Sequence, residues 1–272
     1  MKHTEKELLL LKEEVSQMWK LVLSQLEKSK QSFLNNDIEL AREVASREKR
    51  VDAFELKIDS DCENYIALYS PVAIDLRLVL SMIKISITLE RIGDFAEGIA
   101  RHVIEDDCNK VTPQLIEELQ LEKMFDTLIS MLTDSFIALE SENTKISGKI
   151  LAKDDEIDTL YRNSVDILTA YMADKQQTTS ANRKHDVEDK KNAQPLITRD
   201  IQLSAQKIRC GLKLMLLIRK LERIGDHCSN IVEEIVFYVD AKVLKHVKKE
   251  CLITHEDKSH VDDEEIKHGK KE

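Results

Sequence analysis

Apolar residues at Leu8, Leu11, Val15, Met18, Val22 and Leu26 step by three and four positions, which predicts an amphipathic helix over residues 4–34. Asn35-Asn36-Asp37 interrupts the pattern and supplies a cap for a second helix, expected over 37–68 with its stripe at Leu40, Val44, Val51, Phe54, Ile58 and Tyr65. Ser70-Pro71 ends it, because the residue before a proline is pushed out of the α region. A third helix is expected over 72–105, its stripe at Leu76, Leu80, Ile83 and Ile87. The next steps along that face are Glu90 and Asp94, so acids stand where core residues are expected to continue. Buried charges there are costly unless paired or metal-bound.

Residues 106–112 divide the chain, and Pro113 sits where a helix tolerates proline, at its first position. A fourth helix is expected over 113–140, then a turn at Ser141-Glu142-Asn143. A fifth runs to about residue 173 with Ile150, Ile157, Tyr161, Val165, Leu168 and Met172 inside. Over 174–194 the periodicity stops; Val187 is the only bulky aliphatic residue there, and the stretch reads as a flexible polar insertion. Order resumes after Pro195 with a sixth helix over 196–240, and the charged tail from about 246 reads as disordered.

Composition agrees with an all-α chain: three prolines, six glycines and 4% aromatics in 272 residues. Lys and Arg number 41 against 51 acids, a net charge of -10, which leaves no basic stripe for nucleic acid. The five cysteines (Cys62, Cys108, Cys210, Cys228 and Cys251) are odd in number and lack C-x-x-C spacing, as expected in a reducing compartment. The chain start has no signal-peptide pattern, and the longest core-like run, 214–218, is too short to span a bilayer. A cytoplasmic location is expected.

One stretch occurs twice. Leu89-Glu90-Arg91-Ile92-Gly93-Asp94 returns letter for letter as Leu221-Glu222-Arg223-Ile224-Gly225-Asp226. Each copy places a glycine inside a helix at a cost of about 1 kcal/mol relative to alanine, so something is expected to approach the backbone there. Each also carries two acids one turn apart on one face. The repeat extends further: Arg77 precedes Glu90 by the same interval as Arg209 precedes Glu222, and Glu48/Asp52 match Asp154/Asp158 on the preceding helices. Roughly nine such i,i+4 acid pairs should arise by chance among 51 acids, so a single pair is weak; matched pairs in a repeated context are not. Carboxylates without cysteine disfavour a structural zinc site and suit Mg, Mn, Ca or Fe, with Zn retained only as a carboxylate-bound ion.

The Glu-Arg-Ile-Gly-Asp signatures, with Pro71-Val72-Ala73-Ile74-Asp75-Leu76-Arg77 before the first, resemble the PhoU family of regulators of bacterial phosphate-specific transport. The resemblance implies two pseudo-symmetric three-helix bundles, over 1–107 and 111–245, followed by the tail at 246–272. It implies metal sites at Glu48, Asp52, Glu90 and Asp94, and at Asp154, Asp158, Glu222 and Asp226. Asn230 and Glu234 are candidates to join the second; Gly98 and His102 occupy their places in the first. Asp75, Arg77 and Arg209 are structural or partner candidates. His227 reads equally as a surface histidine or a ligand, and His102 as an interfacial histidine.

The resemblance further implies a non-enzymatic negative regulator of phosphate uptake and phosphate-starvation signalling. Its expected partners are the ATPase subunit of a phosphate ABC transporter and a sensor histidine kinase. A homodimer is expected, at the membrane only through such partners. No Gly-rich phosphate loop or nucleophile motif opposes the non-enzymatic reading. Two alternatives stand: a ferritin-like di-metal oxidase or storage bundle, and a purely structural helical adaptor. The first needs paired Glu-x-x-His motifs, yet only Glu265/His268 in the tail has that spacing.

Overall fold

Helix α1 (His3–Asn35) forms along its apolar stripe: Leu11, Val15, Met18, Val22 and Leu26 are all buried. The structure, a computed structural model, describes residues 3–105, 111–173 and 196–244, and among these every regular element is helical. The expected insertion and charged tail lie outside the described residues. Asp37 caps α2 (Ile38–Ser46), its side chain accepting from the Leu40 amide at 3.0 Å. The second predicted helix is divided. At Arg47 the backbone tightens, the Arg47 amide bonding the Val44 carbonyl, before α3 (Glu48–Tyr69) begins. Ser70 closes α3 in the left-handed region and Pro71 prevents its continuation.

Helix α4 (Ala73–Ile104) corrects the sequence reading of its face. The buried stripe is Leu78, Met82, Ile85, Leu89 and Ile92, followed by Ala96 and Ile99; Leu80 and Ile87 are exposed. Glu90 and Asp94 therefore continue a partly exposed stripe, not the core.

In the second half Thr112 caps the short α5 (Pro113–Glu118), and Pro113 takes the first position. The predicted fourth helix is also divided: Gln120 adopts φ 51° between buried Leu119 and Leu121, and α6 (Leu121–Glu140) starts there. A 3-10 turn (Thr144–Ile146) leads into α7 (Ser147–Ala173), and α8 (Leu196–Asp240) completes the set. With about 1.5 Å per residue, α8 is about 67 Å long.

Helices α1 to α4 pack together as one bundle and α6 to α8 as another. Two crossings join them, α1 on α6 and α4 on α8. The single tryptophan locks the first: Trp19 is fully buried, its indole N–H donates to the Leu132 carbonyl at 3.1 Å, and its ring lies 5.5 Å from Phe136. The second runs antiparallel. Arg77 Nε donates to the Tyr238 carbonyl at 3.2 Å near one end, and Lys213 Nζ to the Glu105 carbonyl at 3.3 Å at the other. Among the described residues no helix is long and apolar enough to cross a membrane.

Candidate functional site

The repeated signature lies on α4 and on α8, and in each bundle the acid pair of the preceding helix comes to meet it. In the first bundle Glu48 opens α3 and Asp52 follows one turn on. Burial raises the Asp94 carboxyl above its ordinary range, and the charges of Asp52 and Glu97 raise it further. Glu48 is raised likewise, by desolvation and then by Asp52, Glu97 and Asp94. Glu90 is raised by burial and by Asp94, with Arg91 opposing. In the second bundle Asp226 is raised by burial, then by Asp154 and Asp158. Glu222 is raised by burial and by Asp226, against the Arg219 guanidinium 3.7 Å away. These carboxylates resist carrying their charges together, a repulsion that a cation relieves.

The signature glycines show why the helix accepts them. A Cβ on Gly225 would stand 2.8 Å from Asp154 Oδ1, so the missing side chain admits a carboxylate of α7 against the backbone of α8. Asp154 is buried there, and Ser229 Oγ donates to its Oδ2 at 2.9 Å. Leu128 fills the same notch from α6, 3.5 Å from the added carbon. The notch in the first bundle has other contents. A Cβ on Gly93 would meet Val51 Cγ1 at 3.3 Å and Gln25 Oε1 at 3.5 Å. Gln25 is wholly buried, and among the described residues neither its oxygen nor its nitrogen has a hydrogen-bond partner.

Two residues near these faces escaped the sequence reading. Glu97, three positions after Asp94, adds a further carboxylate to the field of the first cluster, as Glu55 does through Glu90; the counterpart of Glu97, Ser229, holds Asp154 in the second. The signal was available, since both follow the signature aspartate by the interval that keeps one helix face.

The structure places other candidates elsewhere. Glu234 is buried at the α4–α8 crossing, where Lys84 Nζ lies 2.9 and 3.1 Å from its two oxygens and Ser81 Oγ donates to its carbonyl at 3.1 Å. Its carboxylate is thus turned to α4 instead of α7, and Asn230 is exposed. His227 also faces α4, its ring stacked on Phe95 at 5.6 Å and 26°. Burial first, then Arg223 and Arg91, hold its pKa below the ordinary value, as for a neutral packing ring. His102 lies 6.0 Å from the Phe33 ring, an interfacial position. Arg77 ties α4 to the end of α8, while Asp75 and Arg209 are exposed. Cys62, Cys210 and Cys228 form no disulfide among the described residues; Cys62 is buried, its thiol pushed up to about 12.

The donor chemistry fits a hard cation. The available donor atoms are carboxylate oxygens, their charges are mutually repulsive, and a buried oxygen of Glu222, Oε2, has no hydrogen-bond partner among the described residues. Among the described residues no three His, Cys, Asp or Glu side chains already converge on a point that an ion would fill.

A family model described as PhoU domain matches residues 15–103 and again 121–235. The chain is 30% identical over 241 residues to the phosphate-specific transport system accessory protein PhoU of Edwardsiella tarda, covering 89% of this chain and 86% of that one. Its fold is similar to the crystal structure of PhoU from Pseudomonas aeruginosa (TM-score 0.66, 26% identity, 88% and 99% of the two chains). It is also similar to that of the phosphate transport system regulatory protein PhoU from Streptococcus pneumoniae (TM-score 0.68, 23% identity, 89% and 99%).

Proposed function

We propose that this chain, which belongs to the PhoU domain family, is a non-catalytic regulator of phosphate homeostasis that acts by docking. In the finer reading it restrains phosphate uptake and the phosphate-starvation response, as a homodimer, by contacting the ATPase subunit of a phosphate ABC transporter and a phosphate-sensing histidine kinase. The observation that carries the reading is the doubled match, with an acid-lined face in each matched half.

Glu48, Asp52, Glu90 and Asp94 would hold one metal ion of the Mg, Mn or Fe type, and Asp154, Asp158, Glu222 and Asp226 another. Such an ion supplies positive charge that neutralises the carboxylates and can accept a partner's acidic or phosphate oxygens. The chain's own contribution is to hold the acids on rigid helices and to keep Asp154 in register through Ser229.

A starvation-gene reporter in phosphate-rich medium tests this. Deletion is expected to leave the reporter on. The variant Glu90→Ala/Asp94→Ala/Glu222→Ala/Asp226→Ala is expected to copy the deletion in part while circular dichroism shows it folded. Normal repression in the deletion strain would overturn the regulatory reading; normal repression in the variant alone would remove the acid faces from it.

A further inference from the structure

The internal repeat gives the α4–α8 crossing two equivalent ends, and they are finished differently. In the register that maps Leu89 onto Leu221, Lys84 corresponds to Leu216, Glu234 to His102, Ser81 to Lys213 and Phe237 to Glu105. One end is closed. The Lys84–Glu234 ion pair fills it, Ser81 bonds the Glu234 carbonyl, and the Lys84 ammonium lies 5.3 Å from the centre of the Phe237 ring.

At the other end Leu216 and His102 cannot form that pair, and a cavity of about 500 Å³ remains between the helices. Leu216 is 65% exposed at its edge and Leu217 lines it beside Leu216. Among the described residues the lining carries four cations, Arg101, Lys213, Arg219 and Lys220, against one acid, Glu105. Arg101 and Arg219 are ion-paired to acids outside the lining, Glu97 and Glu222, so Lys213 and Lys220 against Glu105 leave a small local excess of positive charge in a chain of net charge -10.

The cations are positioned by the fold. Glu97 holds Arg101, and the Tyr161 hydroxyl lies 3.2 Å from Arg219 Nη1. Lys213 spans to the Glu105 carbonyl. Lys220 has no acceptor among the described residues. It lies across α4 over Gly98, where an added Cβ would meet the Lys220 ammonium and stand 3.2 Å from its Cε, so a side chain at residue 98 would push the flexible end of the lysine aside.

We propose that this cavity binds a small phosphorylated organic molecule, its phosphoryl group held by Lys220 with Arg101 and Lys213, its apolar or aromatic body against Leu216 and Leu217. The volume lies within the usual range for small-molecule sites, roughly 300–1,000 Å³, and far exceeds what a bare oxyanion fills. Two lysines and a guanidinium lining one cavity match a dianionic phosphoryl group better than a single carboxylate, and the guanidinium adds the fork geometry that oxyanions accept. The proposal rests on the packing of this crossing and stands independently of the regulatory reading.

Isothermal titration of the full chain at low salt with adenosine monophosphate, adenosine and inorganic phosphate tests it. The nucleotide is expected to bind at least tenfold more tightly than either fragment. Lys220→Gln is expected to weaken nucleotide binding about tenfold or more, as loss of a charge-assisted hydrogen bond does. Leu216→Lys with His102→Glu transplants the ion pair from the closed end and is expected to abolish binding. Absence of binding at millimolar nucleotide, equal affinity for inorganic phosphate, or undiminished binding by Lys220→Gln would each overturn the proposal. Should the double variant fail to fold by circular dichroism, Lys220→Gln decides alone.

Discussion

The two signature glycines sit in identical hexapeptides, yet replacing each by alanine is expected to have opposite consequences. Alanine gains about 1 kcal/mol over glycine inside a helix, and that gain is common to both sites. At Gly225 the new Cβ would lie 2.8 Å from Asp154 Oδ1, closer than side chains tolerate, and Asp154 is buried with Ser229 donating to its other oxygen. The carboxylate must move, which breaks or strains that hydrogen bond. A hydrogen bond to a charged group is worth about 1.5–3 kcal/mol, so Gly225→Ala should lose about 0.5–2 kcal/mol net. At Gly93 the nearest atoms are a Val51 methyl at 3.3 Å and Gln25 Oε1 at 3.5 Å, and small shifts relieve both. Gly93→Ala should therefore be neutral or more stable by up to about 1 kcal/mol. Urea titration of the two variants with metal chelated reads the difference, supported by melting shifts of about 2–4 °C per kcal/mol for chains of this size. If Gly225→Ala matched or exceeded the wild type, or if Gly93→Ala lost as much as Gly225→Ala, the notch would not be what fixes these glycines.

Lys84→Met should cost about 1–2 kcal/mol, because it strands the Glu234 carboxylate, whose side chain is only 9% exposed; the half-exposed lysine itself is screened by water. Lys84→Met/Glu234→Met should recover most of that loss, and a urea midpoint for Lys84→Met equal to wild type would show that the pair does not hold the crossing. The acid clusters set a pH dependence. The folded pKa values of Glu48, Glu90, Asp94, Glu222 and Asp226 are raised, so the folded state binds protons more readily than the unfolded one. Stability of chelator-treated protein should thus rise as pH falls from neutrality toward the ordinary carboxylate range, about pH 4. Below that range it should fall, as Glu43 and Glu142, whose pKa values are lowered by Lys28 and Lys12, become protonated. A urea midpoint that declines steadily from pH 7 to lower pH would contradict this.

Helix existence was legible because most stripes had one apolar face. The two missed breaks, at Arg47 and Gln120, carry no glycine or proline, and buried Leu119 and Leu121 on either side of Gln120 look like continuing helix. On α4 periodicity alone could not choose between stripes, since Leu76-Leu80-Ile83-Ile87 and Leu78-Met82-Ile85-Leu89 both have helical spacing. Packing chose the one that continues into small Gly93 and Ala96. The acid faces were legible through the repeat, which carries more information than the acids themselves. Glu234 was misplaced because two turns do not return to the same face: eight residues leave it about 80° from Asp226, enough to turn it from α7 to α4.

The divergence between the halves is concentrated where they face the signature and each other. The field of the first cluster includes Glu97, acting on Glu48 and Asp94, and Glu55, acting on Glu90, beyond the four matched acids, and Gln25 is buried beneath Gly93. The second has four carboxylates, with Ser229 in place of Glu97 and Leu128 in place of Gln25. Two faces with the same signature thus differ by more acid charge in the first, from Glu97 and Glu55, and by one buried amide. Arg101 offsets part of the extra charge by pairing with Glu97, and in doing so it is held at the edge of the cavity that the α4–α8 crossing leaves open. The acidic face of the first bundle and the basic cavity are therefore joined through one ion pair. A cation that drew Glu97 toward the cluster would compete directly with Arg101 for it, so cation binding at that face would change the charge presented to the cavity.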